Sequence, residues 1–134
     1  MEQKTYSEHV SDFLNFIRDA QQQYSMALAT EAETNAATQD ILHSIELEEH
    51  SYNEMAKLGR KLADVRKERR KAKDVLFAAT PVVEWAEANA PVIKAIERLL
   101  GDIRKEERRT ENRIFTPKTN AVEDSKTPKK TKKK

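Results

Sequence analysis

The chain contains no cysteine, which removes disulfides, thiolate metal sites and cysteine nucleophiles together and suits a reducing compartment. Only two glycines and four prolines occur in 134 residues, too few to turn the many short strands of a sandwich or barrel. Long apolar runs are missing as well. The longest uncharged stretch, Ala20 to Thr30, falls far short of the 18 or so residues of a membrane span, and Met1-Glu2-Gln3-Lys4 leads into no apolar signal core. The expectation is a soluble protein of the cytoplasm with no membrane contact, nuclear only if its source is eukaryotic.

What remains is rich in Ala, Glu, Lys, Arg and Leu, with 36% charged residues against 37% hydrophobic and 6% aromatic. That composition predicts an all-α protein with one domain. Thr5 and Glu8 form a capping box, and Val10, Phe13, Ile17, Ala20, Tyr24 and Ala27 follow at steps of three and four, so a first helix is expected over about 7–32. The polar stretch from Glu31 to Thr38 allows either a turn or a weak continuous helix, and the turn is the favoured reading. A second helix is expected over about 38–78, on the ladder Ile41, Ile45, Tyr52, Met55, Leu58, Leu62, Val65, Ala72, Leu76. Thr80-Pro81 reads as a cap and first helical residue, opening a third helix over about 81–115 that Pro91 kinks or breaks near 89–91.

A short connection between the second and third helices predicts that these two form an antiparallel hairpin, with the first helix packed along its side as a three-helix, coiled-coil-like bundle over 1–117. In that register opposed residue numbers sum to about 160. Arg104, Lys105, Arg108 and Arg109 would then face Glu46, Glu48, Glu49 and Glu54, and the seam charges Glu48 and Arg69 would lie near Arg113 and Glu87 as register-fixing devices. Residues 118–134 show no periodicity and are expected to form a disordered Lys-rich tail.

The net charge of +2 conceals a gradient: residues 1–59 sum to −8, 60–117 to +5 and 118–134 to +5. No catalytic constellation accompanies it. His43, Glu46 and His50 share a spacing of three and four, but no second Glu-x-x-His recurs as a bundle metal site would require. Phosphate loops, nucleophile elbows and H-E-x-x-H motifs do not occur either. Neither enzyme activity, nor a cofactor, nor a metal is expected, and the paired acids Glu48-Glu49, Glu106-Glu107 and Glu123-Asp124 read as helix surface or tail.

Two features could bind a partner. Arg60, Lys61, Arg66, Lys67, Arg69, Arg70, Lys71 and Lys73 stand against Asp64 and Glu68 alone within 60–73. Guanidinium groups suit carboxylate or phosphate recognition, and Arg66, Arg70 and Lys73 share a helix face. The same composition also suits a solvated helix end whose cations complement the C-terminal dipole. The tail cations Lys126, Lys129, Lys130, Lys132, Lys133 and Lys134 could add salt-sensitive affinity for any polyanion, or serve solubility alone; without an aromatic to stack on bases they could not read sequence.

Leu42-His43-Ser-Ile-Glu46-Leu47, then Arg66-Lys-Glu-Arg69-Arg70-Lys-Ala-Lys73-Asp74, Pro81, and Arg113-Ile-Phe-Thr-Pro-Lys118 together resemble a group of small helical accessory proteins encoded by phages and prophages of Gram-positive bacteria. The resemblance covers roughly 40–117 and implies an accessory protein of the host cytoplasm that acts by occupying a macromolecule, with no activity to carry over. The expected function is non-enzymatic binding of an acidic protein surface through the basic helical patch. Nucleic-acid association through patch and tail is the second reading. Self-assembly through exposed Phe16, Tyr24, Leu28 or Trp85 is the third.

Overall fold

The computed structural model describes residues 3–121. It is all-helical there: α1 spans Tyr6–Leu47, α2 spans Tyr52–Ala88 and α3 spans Ala90–Glu111. At 1.5 Å per residue α1 is a rod of roughly 63 Å. Its start is the predicted capping box, in which Glu8 N–H donates to Thr5 Oγ1 at 3.2 Å and Thr5 N–H donates to Glu8 Oε1 at 2.8 Å.

The first helix does not stop at 32. It runs through the polar stretch because its buried seam needs only small groups there. Thr34 and Thr38 are buried, and their hydroxyls donate 2.8 Å bonds to the carbonyls of Thr30 and Thr34. With the hydroxyls satisfied inside the helix, their burial leaves no polar atom unpaired.

The chain instead reverses at Glu48–Ser51, inside the predicted second helix. Ser51 and Glu54 form a second capping box, Glu54 N–H donating to Ser51 Oγ at 3.2 Å and Ser51 N–H to Glu54 Oε1 at 2.9 Å. The His50 ring folds back on the end of α1, with Nε2 2.9 Å from the Ser44 carbonyl and 3.1 Å from its hydroxyl. These contacts satisfy groups that a helix terminus would otherwise leave open.

The hairpin is therefore made by α1 and α2, and the expected pairing of the second and third helices is corrected. Arg69 meets Asn35 and Lys73 meets Glu31, so opposed numbers sum to 104 at both places. Farther along, Phe13 packs on Trp85. Arg69 thus lies far from Glu87 in register, and Glu48 caps α1 in the turn rather than facing Arg113. The charge match of Arg104, Lys105, Arg108 and Arg109 with Glu46, Glu48, Glu49 and Glu54 does not form: Arg109 pairs with Glu106 one turn back on its own helix, at 2.9 Å.

Thr80-Pro81 opens no helix. Pro81 sits inside α2, and Thr80 Oγ1 donates to the Leu76 carbonyl at 2.6 Å. The break falls at Asn89, as the Pro91 reading expected, with Pro91 in the first turn of α3. α3 scarcely touches α2 and packs on the N-terminal part of α1. Ser7 N–H donates to Glu107 Oε2 at 3.4 Å, and Arg18 pairs with Glu97 at 3.7 Å. Helix α3 ends at Glu111, short of the expected 115.

The core is thin. Its buried hydrophobic residues are Leu14, Ile17, Ala27, Ile41, Ala72, Ala79, Ala86 and Leu100. Alanines dominate the α2 side, so the two rods approach closely but hide little apolar area. No described helix is long and apolar enough to cross a membrane. The tail expected to be disordered lies, from 122 onward, outside the described residues.

Candidate interaction surface on the second helix

Helix α2 buries Ala72, Ala79 and Ala86 against α1 at steps of seven. With 100° per residue, that seam fixes where each basic side chain goes. Arg69 lies on the seam itself, and Lys73 flanks it. Both are half-buried and engaged within the molecule: Arg69 Nε donates to Asn35 Oδ1 at 2.7 Å, and Lys73 Nζ lies 3.5 Å from Glu31 Oε2.

The other six basic residues of the stretch, Arg60, Lys61, Arg66, Lys67, Arg70 and Lys71, are exposed, and none makes an ion pair among the described residues. Arg60 and Lys67, seven apart, lie away from the seam, and Arg66 and Arg70 border them, whereas Lys71, one residue before the buried Ala72, stands at the rim of the groove beside Met26. The shared face expected for Arg66, Arg70 and Lys73 is thus divided, since Lys73 turns to Glu31. Asp64 and Asp74 are exposed and stand within the same outer strip. The tail cations Lys126, Lys129, Lys130, Lys132, Lys133 and Lys134 lie outside the described residues.

Helix α1 is the acidic counterpart, carrying seven acids against Arg18 alone. Glu31 is spent on Lys73, while Glu33 and Asp40 are exposed and turned off the seam. They leave the outer strip of α2 without a neutralising neighbour. At the start of α1, Lys4 Nζ lies 2.5 Å from Asp12 Oδ2. That hydrogen bond, with the Asp12 charge behind it, holds the Lys4 ammonium above the usual lysine range.

The expected His43, Glu46, His50 face does not exist, because α1 ends at Leu47 and His50 belongs to the turn. Both His50 ring nitrogens face oxygen: Nε2 lies near Ser44 and 3.8 Å from Glu48, and Nδ1 lies 3.7 Å from Glu54. Among the described residues no group of three or more His, Asp or Glu could hold a metal ion. The cavity of about 530 Å³ between Thr5, Tyr6 and α3 contains Glu106 and Glu107. One pairs with Arg109 and the other accepts from Ser7.

A second feature of the surface was only partly legible. Phe13, Phe16, Ile17, Pro81, Val82 and Trp85 line an apolar cavity of about 290 Å³ between α1 and α2. The Phe13 ring lies 6.4 Å from Phe16 and 6.4 Å edge-on from Trp85. Phe16 and Trp85 are recognisable as exposed from the sequence. Phe13 joins them only because α2 brings Trp85 to its edge.

Comparison with protein families, with curated proteins and with solved structures finds no match, so no relative's activity bears on this geometry.

Proposed function

We propose that this chain is a non-enzymatic binding protein that presents the outer strip of α2 to an acidic protein face. The observation that carries this reading is the division of labour along one helix. Arg69 and Lys73 are used internally, whereas Arg60, Lys61, Arg66, Lys67, Arg70 and Lys71 are exposed with no ion pair among the described residues. Held on a rod, these cations keep fixed spacing, and three of them are guanidinium groups able to take a carboxylate bidentately.

Asp64 and Asp74 within the strip favour a protein over a nucleic acid. A phosphate backbone offers only negative charge and would be repelled at both positions, whereas an acidic protein surface can offer a compensating cation. The likeness to small phage accessory proteins accords with action by occupancy in a host cytoplasm. The nucleic-acid reading rests on the tail as well as the patch.

The test is retention of the full chain on an immobilised glutamate-rich glutamate–lysine copolymer of net negative charge and on duplex DNA at physiological salt. On the copolymer we expect retention that survives removal of Lys126 to Lys134 and is lost when Arg66→Glu, Lys67→Glu and Arg70→Glu are combined, with helicity by circular dichroism unchanged. Retention on DNA that falls steeply with salt and disappears with the tail would replace this reading by the nucleic-acid one.

A further inference from the structure

We propose that two copies of this chain pack face to face, antiparallel, through the side of the hairpin that carries Phe13, Phe16, Met26, Val75, Val82 and Trp85. This goes beyond the binding role of α2 and does not depend on it.

Among the described residues no large side chain is fully buried, and four of the eight buried hydrophobic residues are alanine. Meanwhile Phe16 is 53% exposed, Met26 61% and Trp85 41%. These side chains are not scattered. On α1, Phe13, Phe16 and Met26 project to the same side of the seam, and on α2, Val75, Val82 and Trp85 follow at steps of seven and three. Two cavities of about 290 Å³ each mark the groove between the rods, one at Phe13, Phe16 and Trp85, the other at Met26, Ala27 and Val75. A contiguous exposed apolar surface of this kind marks an association site.

Nothing within the described chain covers it. Helix α3 meets α1 through Ser7 and Arg18. On a helix of 100° per residue Arg18 projects about 200° from Phe16, so α3 occupies the other side.

Charge selects the occupant and its direction. The aromatic end adjoins Asp12 and Asp19. Lys4 holds Asp12, whereas Asp19 makes no ion pair among the described residues. The aliphatic end carries Lys71, beside Glu68, at the rim of the Met26 cavity. A two-fold axis between these ends seats the acid-flanked aromatic end of one copy on the Lys71 end of the other, and does so twice. A parallel arrangement would set Asp19 against Asp19. Ala20 and Ala78 lie between the ends and let the rods come close. Arg60, Arg66, Lys67 and Arg70 stay open on both copies while Lys71 is taken up in the interface, so the dimer offers two cationic strips and gains avidity for a repeated acidic partner.

Sedimentation equilibrium of the full chain, from low to several hundred micromolar, tests the proposal. The expected result is a rise from one chain mass to two, with the emission of Trp85, the sole tryptophan, moving to shorter wavelength over the same range. Phe16→Lys and, separately, Met26→Glu should each weaken association at least tenfold with helicity unchanged, since both side chains are exposed in the single chain. Lys71→Glu should weaken it too, and Asp19→Lys in the same chain should restore it. A single-chain mass throughout would overturn the proposal. So would a dimer that tolerates Phe16→Lys but is lost with Leu28→Lys, on the other side of the hairpin. A charge exchange that restores nothing would overturn the antiparallel arrangement.

Discussion

Arg69 and Asn35 meet across the hairpin, the guanidinium Nε donating to the amide oxygen at 2.7 Å. This contact joins residues 34 positions apart and fixes which turns of α1 and α2 oppose each other. A slip by one heptad would leave the half-buried guanidinium beside apolar seam residues with no acceptor, a cost large enough to hold the register.

Two substitutions separate register from stability. Asn35→Ala should lower the unfolding free energy by about 1 kcal/mol, because the bond is charge-assisted but reachable by water. Arg69→Leu should raise the thermal midpoint, since an apolar seam residue replaces a partly desolvated charge. Urea and thermal denaturation followed by circular dichroism measure both, and a midpoint lowered by Arg69→Leu would mean the contact stabilises more than it specifies.

The turn depends on the Ser51 cap. Ser51→Ala removes the acceptor for Glu54 N–H and should cost about 1 kcal/mol, whereas Ser51→Gly should cost only a few tenths. Equal losses for the two variants in chemical denaturation would show that the hydroxyl is not the stabilising group.

Helix α2 carries two residues that weaken it in its interior. Pro81 has no N–H to offer the Phe77 carbonyl, and both residues are exposed. Pro81→Ala should stabilise by about 2 kcal/mol, less than the full cost of an interior proline because the unfolded chain also gains freedom. A Cβ added at Gly59 meets nothing within 4 Å, so Gly59→Ala should add about 0.5–1 kcal/mol. The pair should be close to additive, being far apart along the helix, and thermal melts of the single and double variants decide it.

Much of the fold was legible from local chemistry. The Thr5 and Glu8 box, the break at Asn89 ahead of Pro91 and the all-helical class follow from short-range rules that tertiary packing had no reason to override. The reversal was misplaced for a physical reason. Glu31 to Thr38 looks polar enough to end a helix, yet back-bonded threonines make a seam that alanines can meet. The true signal, Ser51 followed by Glu54, lay in a stretch whose apolar ladder seemed unbroken. Once the turn moves from Thr80 to Ser51, the partner of α2 changes from α3 to α1.

The basic strip was legible as composition, because eight cations in one short window cannot all be hidden. Which of them are free was not. A helix displays its side chains all round, and only the position of the seam tells an outward Lys67 from an inward Arg69.

Sequence alone set the helical class, the first cap, the break at Pro91 and the acidic-to-basic gradient, all matters of residues within a turn or two of each other. The pairing of α1 with α2, the capture of Arg69 and Lys73, and the meeting of Phe13 with Trp85 were decided by tertiary structure, because each depends on where a long rod reverses and on which small residues let its two arms approach.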